Sequence, residues 1–300
     1  MEYTSIENIF KNGIVGEKYR VRGWIYRKRE FKDKIFILIR DSSGIIQGVL
    51  VKKTISDDIL KNISIEASIE AIGILREDKR APGGYELNIN NIRVVGTSNN
   101  FPITKNFSRE FLLDVRHLWI RSRKMAAILK IRSTIFGAIH EFFRSNGFYE
   151  VQAPMFINVA VEGGATLFSL KYFEKGNVYL TQSSQFYLEA LIFSLEKVYT
   201  VAPSFRAEKS RTRRHLTEFW HTEAEIAWYG MKDIIDFEEK LITYIVRKVL
   251  EKNREELEML GRKIDLMENI KPPFYKITYD EALKILEKKG IYMEWGEDLG

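Results

Sequence analysis

The residues best equipped for chemistry in this 300-residue chain crowd into one stretch, Val198 to Trp228. A run rich in β-branched and aromatic residues, Val198 to Phe205, leads into a strongly basic segment, Arg206 to Arg214, and a second such run follows from Glu218 to Trp228. Both runs have strand composition. The stretch therefore reads as an antiparallel hairpin whose long loop carries Lys209, Arg211, Arg213 and Arg214. Alternation along the second strand puts Glu218, Trp220, Thr222, Ala224 and Ile226 on one face, and Phe219, His221, Glu223 and Glu225 on the other. That second set makes a poor core and a poor outer surface, but it has the composition of a pocket lining. A basic loop over an acidic, aromatic sheet face suits a ligand that combines a polyphosphate, a flat ring and an ammonium group. On pattern alone, a solvated hairpin with a mixed-charge face accounts for it equally well.

Composition excludes several other chemistries. The chain has no cysteine, which removes disulfides, thiol catalysis and cysteine-based zinc sites, and its four histidines (His117, His140, His215, His221) include no pair at metal-ligand spacing. The net charge of +6 and a pI of about 9.2 permit a nucleic-acid partner without requiring one. The polar N-terminus lacks a signal-peptide core, and no run reaches the ~20 apolar residues of a membrane span, so the expectation is a soluble, cytoplasmic protein.

The elements that must position the hairpin fall into two parts. Tyr19 to Ile25, Ile35 to Arg40, Ile45 to Val51, Ser64 to Leu75 and Tyr85 to Val95 read as five strands separated by Asp-Ser-Ser-Gly and Ala-Pro-Gly-Gly turns, with a short helical turn at Asp57 to Asn62. Five short strands and one small helix suggest a Greek-key barrel of the oligonucleotide-binding (OB) type. Arg27, Lys28, Arg29, Lys32 and Lys34 crowd its first loop, with Phe36 starting the second strand and Gln47 on the third. Such barrels bind single strands by stacking bases on aromatics and tracking phosphates with Lys and Arg. After a polar break at Gly96 to Asn106, apolar residues recur at helical spacing from Arg121 to Ser145, stopped by Asn146-Gly147. A strand at Phe148 to Val151 follows, then Pro154 and the sequence Val161-Glu162-Gly163-Gly164, whose paired glycines allow a mobile loop and whose Glu162 can grip an ammonium. A short strand, Val178 to Thr181, enters a helix near Ser183 or Ser184. Long helices are expected over Lys232 to Glu258 and Thr278 to Gly290, the latter capped by Thr278 with Glu281.

The order F-R-A-E, then R-H-L-T-E-F, then E-A-E in the hairpin resembles the second signature motif of class II aminoacyl-tRNA synthetases, in the form used by the aspartyl and asparaginyl subgroup. The resemblance extends over nearly the whole chain. It implies an α+β protein: an N-terminal OB-fold β-barrel that binds the anticodon (residues 1–97), a linker (98–110), and a class II antiparallel sheet flanked by helices (111–300). The family's third motif, a glycine-rich strand and helix with an ATP-binding Arg, has no counterpart after Lys232, so the catalytic domain reads as C-terminally incomplete. A fragment, a split enzyme and a degenerate paralogue all fit that reading.

The resemblance also implies roles. Arg206 would hold the α-phosphate of ATP and the reacting carboxylate. Glu208 would accept from the adenine amino group, Phe219 would stack on adenine, and Arg214, His215 and Leu216 would line the ATP site. Glu162, Ser184, Gln185, Leu188 and Glu223 would surround the amino acid, and Glu225 would be a Mg2+ or neighbouring carboxylate. Arg27 or Arg29, with Phe36 and Gln47, would read the anticodon. The long helix and strand after residue 121 resemble the first motif, which forms a homodimer interface. Aspartyl enzymes carry Lys at the slot occupied here by Leu188. A substrate carboxylate there would lack its cation, whereas a neutral amide needs none. The implied activity is ATP-dependent attachment of asparagine to tRNA(Asn). Aspartate–tRNA ligation, non-discriminating or not, and non-catalytic tRNA binding are the alternatives. An amidotransferase-like relative is disfavoured because such relatives lack the barrel.

Overall fold

The computed structural model describes residues 1–103, 107–158, 167–209 and 215–299, and the chain divides into two compact units, Met1–Trp119 and Ile120–Gly300. The first is built on a closed barrel with strand order β1-β2-β3-β5-β4, from β1 (Lys18–Glu30), β2 (Lys34–Arg40), β3 (Ile45–Val51), β4 (Ser68–Glu77) and β5 (Tyr85–Gly96). All ladders are antiparallel except β3 with β5. Strand alternation explains the closure. Ile35, Ile37 and Ile39 of β2 point inward with Ile46, Leu50, Leu87 and Ile89, leaving Phe36, Leu38 and Arg40 outside. Gly48 leaves room for this packing: a Cβ there would lie 2.5 Å from Ile89 Cδ1 and push that side chain aside. Helix α1 (Ile6–Asn12), whose cap Ser5 accepts from Asn8 N–H, lays Ile6 and Ile9 on this core. α2 (Asp57–Asn62) forms where the sequence suggests a helical turn. α3 (Arg109–Asp114) and α4 (Arg116–Trp119) end the unit.

Two sequence expectations change in this unit. α1 is not foreseen. The first strand also runs on to Glu30, past a bulge between Ile25 and Arg27, so Arg27, Lys28 and Arg29 sit in a strand and not in the loop. Pairing of Arg27 with Leu38 and Arg29 with Phe36 fills the ladder, and backbone hydrogen bonding outweighs the local polarity.

The second unit rests on a three-stranded sheet, β11-β10-β6, in which β10 (Lys197–Phe205) and β11 (Glu218–Ile226) pair antiparallel along nine residues and β6 (Tyr149–Glu150) runs parallel to β10. Helix α5 (Arg123–Ser145), capped by Ser122 and ended at Asn146 with Gly147 at φ +80°, packs on one face. Phe143 stacks on Tyr199 at 4.6 Å, and Phe136 meets Trp220 edge-on at 5.6 Å. Ala224 and Ile226 join that core together with Phe237, Leu241 and Ile245 of α7 (Met231–Lys252). A small sheet, β7 (Phe156–Ile157), β9 (Asn177–Leu180) and β8 (Ser169–Lys171), leads into α6 (Gln185–Leu195), which packs on β10 and β11. The long helix expected through Glu258 breaks at Asn253, a buried residue with φ −131° that stands at the N-cap position of α8 (Arg254–Met259) without a side-chain cap and donates through its amide to Glu256. α9 (Ile264–Glu268) and α10 (Tyr279–Lys288) follow, the latter opened by the Thr278–Glu281 capping box.

Candidate active site

The hairpin register pairs Ser204 with Phe219, Ala202 with His221, Thr200 with Glu223 and Val198 with Glu225. Cross-strand partners share a face, so Phe219, His221, Glu223 and Glu225 lie opposite the α5 side that takes Trp220, Ala224 and Ile226. The face expected from alternation is thus the face that α6 overhangs.

Arg206 leaves the end of β10. Its backbone N–H donates to Thr217 C=O at 2.9 Å, its guanidinium donates to Gln182 C=O at 2.6 Å, and the guanidinium carbon lies 5.6 Å from the Phe219 ring centroid. A planar fork fixed over an aromatic ring suits oxyanions and flat rings together. The junction between β9 and α6 supports it. Phe205 N–H donates to Thr181 C=O at 2.9 Å, and Thr181 hydroxyl donates to Ser183 C=O at 2.8 Å.

The same junction holds Glu223. Ser183 hydroxyl donates to its Oε1, while Ser184 N–H donates to Oε2 at 2.9 Å and to Oε1 at 3.2 Å. Ser183 Oγ in turn accepts from Gln185 N–H at 3.1 Å. Ser184 stands at the N-cap position of α6 but makes no side-chain cap; Ser183 caps instead. A carboxylate so fixed, with its side chain only 11% exposed, is a preorganised receptor for a cation.

Glu225 lies one alternation further. Burial raises its pKa, and the neighbouring carboxylates of Glu189 and Glu223 add to the effect. Gln185 side chain donates to Glu189 at 2.9 Å, and Leu188 between them is fully buried. Among the described residues no group of three or more acidic, His or Cys side chains could hold a metal ion; Glu225 alone does not make a metal centre. Glu208, His215 and Leu216 are exposed on the segment joining the strands. Arg214 and Glu162 lie outside the described residues.

Three residues at this site do more than the sequence announces: Ser183 is expected only as a cap, His221 only as a member of the face, and Gln182 not at all. Gln182 is fully buried and its side-chain amide finds no partner among the described residues. The contacts of Ser183 with Glu223 and of His221 with Ser204 span 40 and 17 residues of sequence and carry no local signal, whereas the cap at Ser183 is local and is one of the two expected.

On the barrel, register aligns two outward rows: Arg29, Phe36, Val49 and Asn88, and beside it Arg27, Leu38, Gln47 and Glu86. Phe36 meets Phe31 edge-on at 5.5 Å, Arg27 lies over Tyr26 at 5.2 Å, and Gln47 amide donates to Glu86 at 2.9 Å. Both Arg27 and Arg29 are exposed on this face. Glu86, unremarkable in sequence, joins it by strand pairing alone.

Residues 19–95 match the family model for an OB-fold nucleic acid binding domain, and residues 108–296 that for tRNA synthetases class II (D, K and N). The chain therefore belongs to the class II tRNA synthetases of the D, K and N group. Its kinship within that group is with the asparaginyl-tRNA synthetases. The asparagine–tRNA ligase of Thermoplasma acidophilum is 50% identical over 299 residues, 99% of this chain and 70% of the relative. That of Thermococcus kodakarensis is 51% identical over 290 residues, 95% of this chain and 67% of the relative. The crystal structure of asparaginyl-tRNA synthetase from Pyrococcus horikoshii complexed with asparaginyl-adenylate matches with a TM-score of 0.93 at 46% identity, covering 100% of this chain and 70% of that one. The chain thus spans about 70% of the length of the relatives from Thermoplasma and Pyrococcus.

Proposed function

We propose that this chain is an asparagine–tRNA ligase that activates asparagine with ATP and passes it to tRNA(Asn). In the first step the asparagine carboxylate attacks the α-phosphorus of ATP, giving the adenylate and pyrophosphate; in the second, a ribose hydroxyl at the tRNA 3′ end takes the acyl group. No protein nucleophile is needed, and catalysis is positioning plus charge stabilisation. Arg206 is the catalytic residue of this reading, bridging the α-phosphate and the attacking carboxylate. Phe219 stacks the adenine, with Glu208 accepting from its amino group and Arg214, His215 and Leu216 toward the phosphates. Glu223, with Glu162, receives the substrate ammonium, and Ser184, Gln185 and Leu188 line the amino acid. A divalent cation, Mg2+ in this reading, would neutralise the β- and γ-phosphates when bound, with Glu225 as the carboxylate this part of the chain can offer.

The single observation that carries the proposal is the placement of Arg206 over Phe219 on the same sheet face as the cradled Glu223. Preference for asparagine is supported by Leu188, a neutral residue in a buried position where aspartyl enzymes carry Lys. Pyrophosphate exchange with each amino acid tests it: exchange that ran with aspartate but not asparagine would select the aspartate reading, and tRNA binding without exchange would select the non-catalytic one. Arg27, Arg29, Phe36 and Gln47 read the anticodon in this proposal, with Glu86 beside them. The exposed Ile128 and Leu129 of α5 support a homodimer through that helix. The functional partition in this proposal is residues 1–97, 98–110 and 111–300, beside a division of compact units at Trp119 and Ile120. No helix among the described residues is long and apolar enough to cross a membrane, and a cytoplasmic location is part of the proposal.

A further inference from the structure

We propose that Phe31 is a further RNA-contacting residue of the barrel, packing on a nucleotide adjacent to the one that Phe36 stacks. The inference rests on the reading of this barrel face as the one that binds the tRNA loop. β1 ends at Glu30 and β2 begins at Lys34, so Phe31, Lys32 and Asp33 make the turn between them. Small and polar residues dominate such turns, yet a phenylalanine stands at the first position with 58% of its surface exposed. Its ring meets Phe36 edge-on, with 5.5 Å between centroids and 80° between planes. The turn is pinned at both sides. Phe31 N–H donates to Lys34 C=O at 2.8 Å, and Lys52 N–H, just past the end of β3, donates to Asp33 C=O at 3.0 Å. A held backbone thus presents the ring, which lowers the entropy lost when a ligand packs on it.

Charge selects the occupant. Lys28 and Lys52 share Glu30, at 3.2 and 2.7 Å. Arg29, Lys32, Lys34 and Lys53 are exposed at the same end of the barrel and form no ion pair among the described residues. An apolar protein segment laid on the two rings would leave these four cations without counter-charge. A single RNA strand brings a phosphate with every nucleotide and a flat face for each ring. A duplex is excluded by the same geometry, since its base faces are closed to an aromatic side chain. Two rings at 80° cannot both lie flat on one base, nor on two bases stacked in parallel. They suit neighbouring nucleotides turned away from each other, as unstacked loop nucleotides are.

The test is binding of the full chain to a tRNA(Asn) transcript at one fixed salt concentration, for the wild type, F31A, F31L, F31W, F36A and the F31A/F36A double variant. F31A and F31L are each expected to raise Kd about fivefold, the low end of what one stacked base contributes. Their melting curves are expected to match the wild type, because the ring is exposed. F31W keeps an aromatic face and is expected to bind within about twofold of wild type. F31A in the F36A background is expected to weaken binding at least about threefold further, since the two rings hold different nucleotides. A Kd for F31A or F31L within about twofold of wild type overturns the proposal. A double variant that binds no more weakly than F36A also overturns it, leaving Phe31 a mere support for Phe36. F36A separates the two layers. If F36A binds as the wild type does, the RNA-face reading itself fails; if F36A weakens binding and F31A does not, only the role of Phe31 fails. A second copy of the chain is the competing occupant, and an elution volume that differs between RNA-free F31A and wild type would place it there and overturn the proposal.

Discussion

Substituting Ser183→Ala tests how Glu223 is held, and its size can be worked from the contacts. The hydroxyl makes two bonds: it donates to Glu223 Oε1 and accepts from Gln185 N–H at 3.1 Å. A hydrogen bond to a charged group contributes about 1.5–3 kcal/mol, which is roughly 10- to 150-fold in an equilibrium constant. Ser184 N–H remains on both carboxylate oxygens, at 2.9 and 3.2 Å, so the carboxylate loses one of its donors and is loosened, not freed. The lower end applies, about a tenfold rise in KM for asparagine. ATP saturation should not move, since Arg206 is held through the backbone carbonyl of Gln182 and not through Ser183. Loss of the acceptor for Gln185 N–H removes the α6 cap and costs about 1 kcal/mol of stability, a fall of about 2–4 °C in Tm for a chain of this size. Pyrophosphate exchange with asparagine and ATP titrated separately, alongside a thermal melt, reads all three numbers. A folded variant whose KM for asparagine stays within about twofold of wild type would refute the claim that this cradle preorganises the site.

Further outcomes follow from other contacts. Arg206→Lys keeps the charge but loses the planar fork, and is expected to lower kcat for exchange by about 100-fold with an unchanged melting curve. Phe36→Ala is expected to weaken tRNA binding by about 1–3 kcal/mol, the contribution of one stacked base, in a filter-binding assay, while amino-acid activation is unaffected. Glu70 has its pKa lowered to about 2 by hydrogen bonds from Tyr3, Arg93 and Arg20. A depressed folded-state value means that its stabilisation is fully present above about pH 4.5 and is lost as pH falls toward about 2. The acid-side decline in barrel stability should therefore flatten in Glu70→Gln, measured by circular dichroism against pH. Leu188→Lys is expected to lower asparagine use at least tenfold, about 1.4 kcal/mol, and to lower Tm, because the position is fully buried; an unchanged asparagine preference would place selectivity elsewhere.

What could be read from sequence was whatever depends on one strand or one helix at a time. Alternation alone separated Phe219, His221, Glu223 and Glu225 from Trp220, Ala224 and Ile226, because period 2 is a property of the strand itself. The Thr278 cap and the Asn146-Gly147 stop were legible for the same reason, being local backbone chemistry. The failures share an opposite origin. α1 has seven residues, too few for a periodic signal, and only the barrel mouth under Ile6 and Ile9 gives it a reason to form. Arg27 to Arg29 looked like loop because their side chains are polar, yet an unpaired β2 edge costs more than exposing three basic side chains that lose little in solvent. Helical periodicity runs through Asn253, but there the backbone turns to φ −131° and the buried amide donates to Glu256 at 3.4 Å, a contact that no pattern announces. Ser183, His221 and Glu86 belong with these. Each acquires its role from a contact across 40, 17 or 39 residues of sequence, closed by sheet register or by a helix laid on a sheet. The groups that would touch ligand are therefore partly legible as residue types on a face, while the groups that aim them are fixed by packing, and only coordinates reveal them.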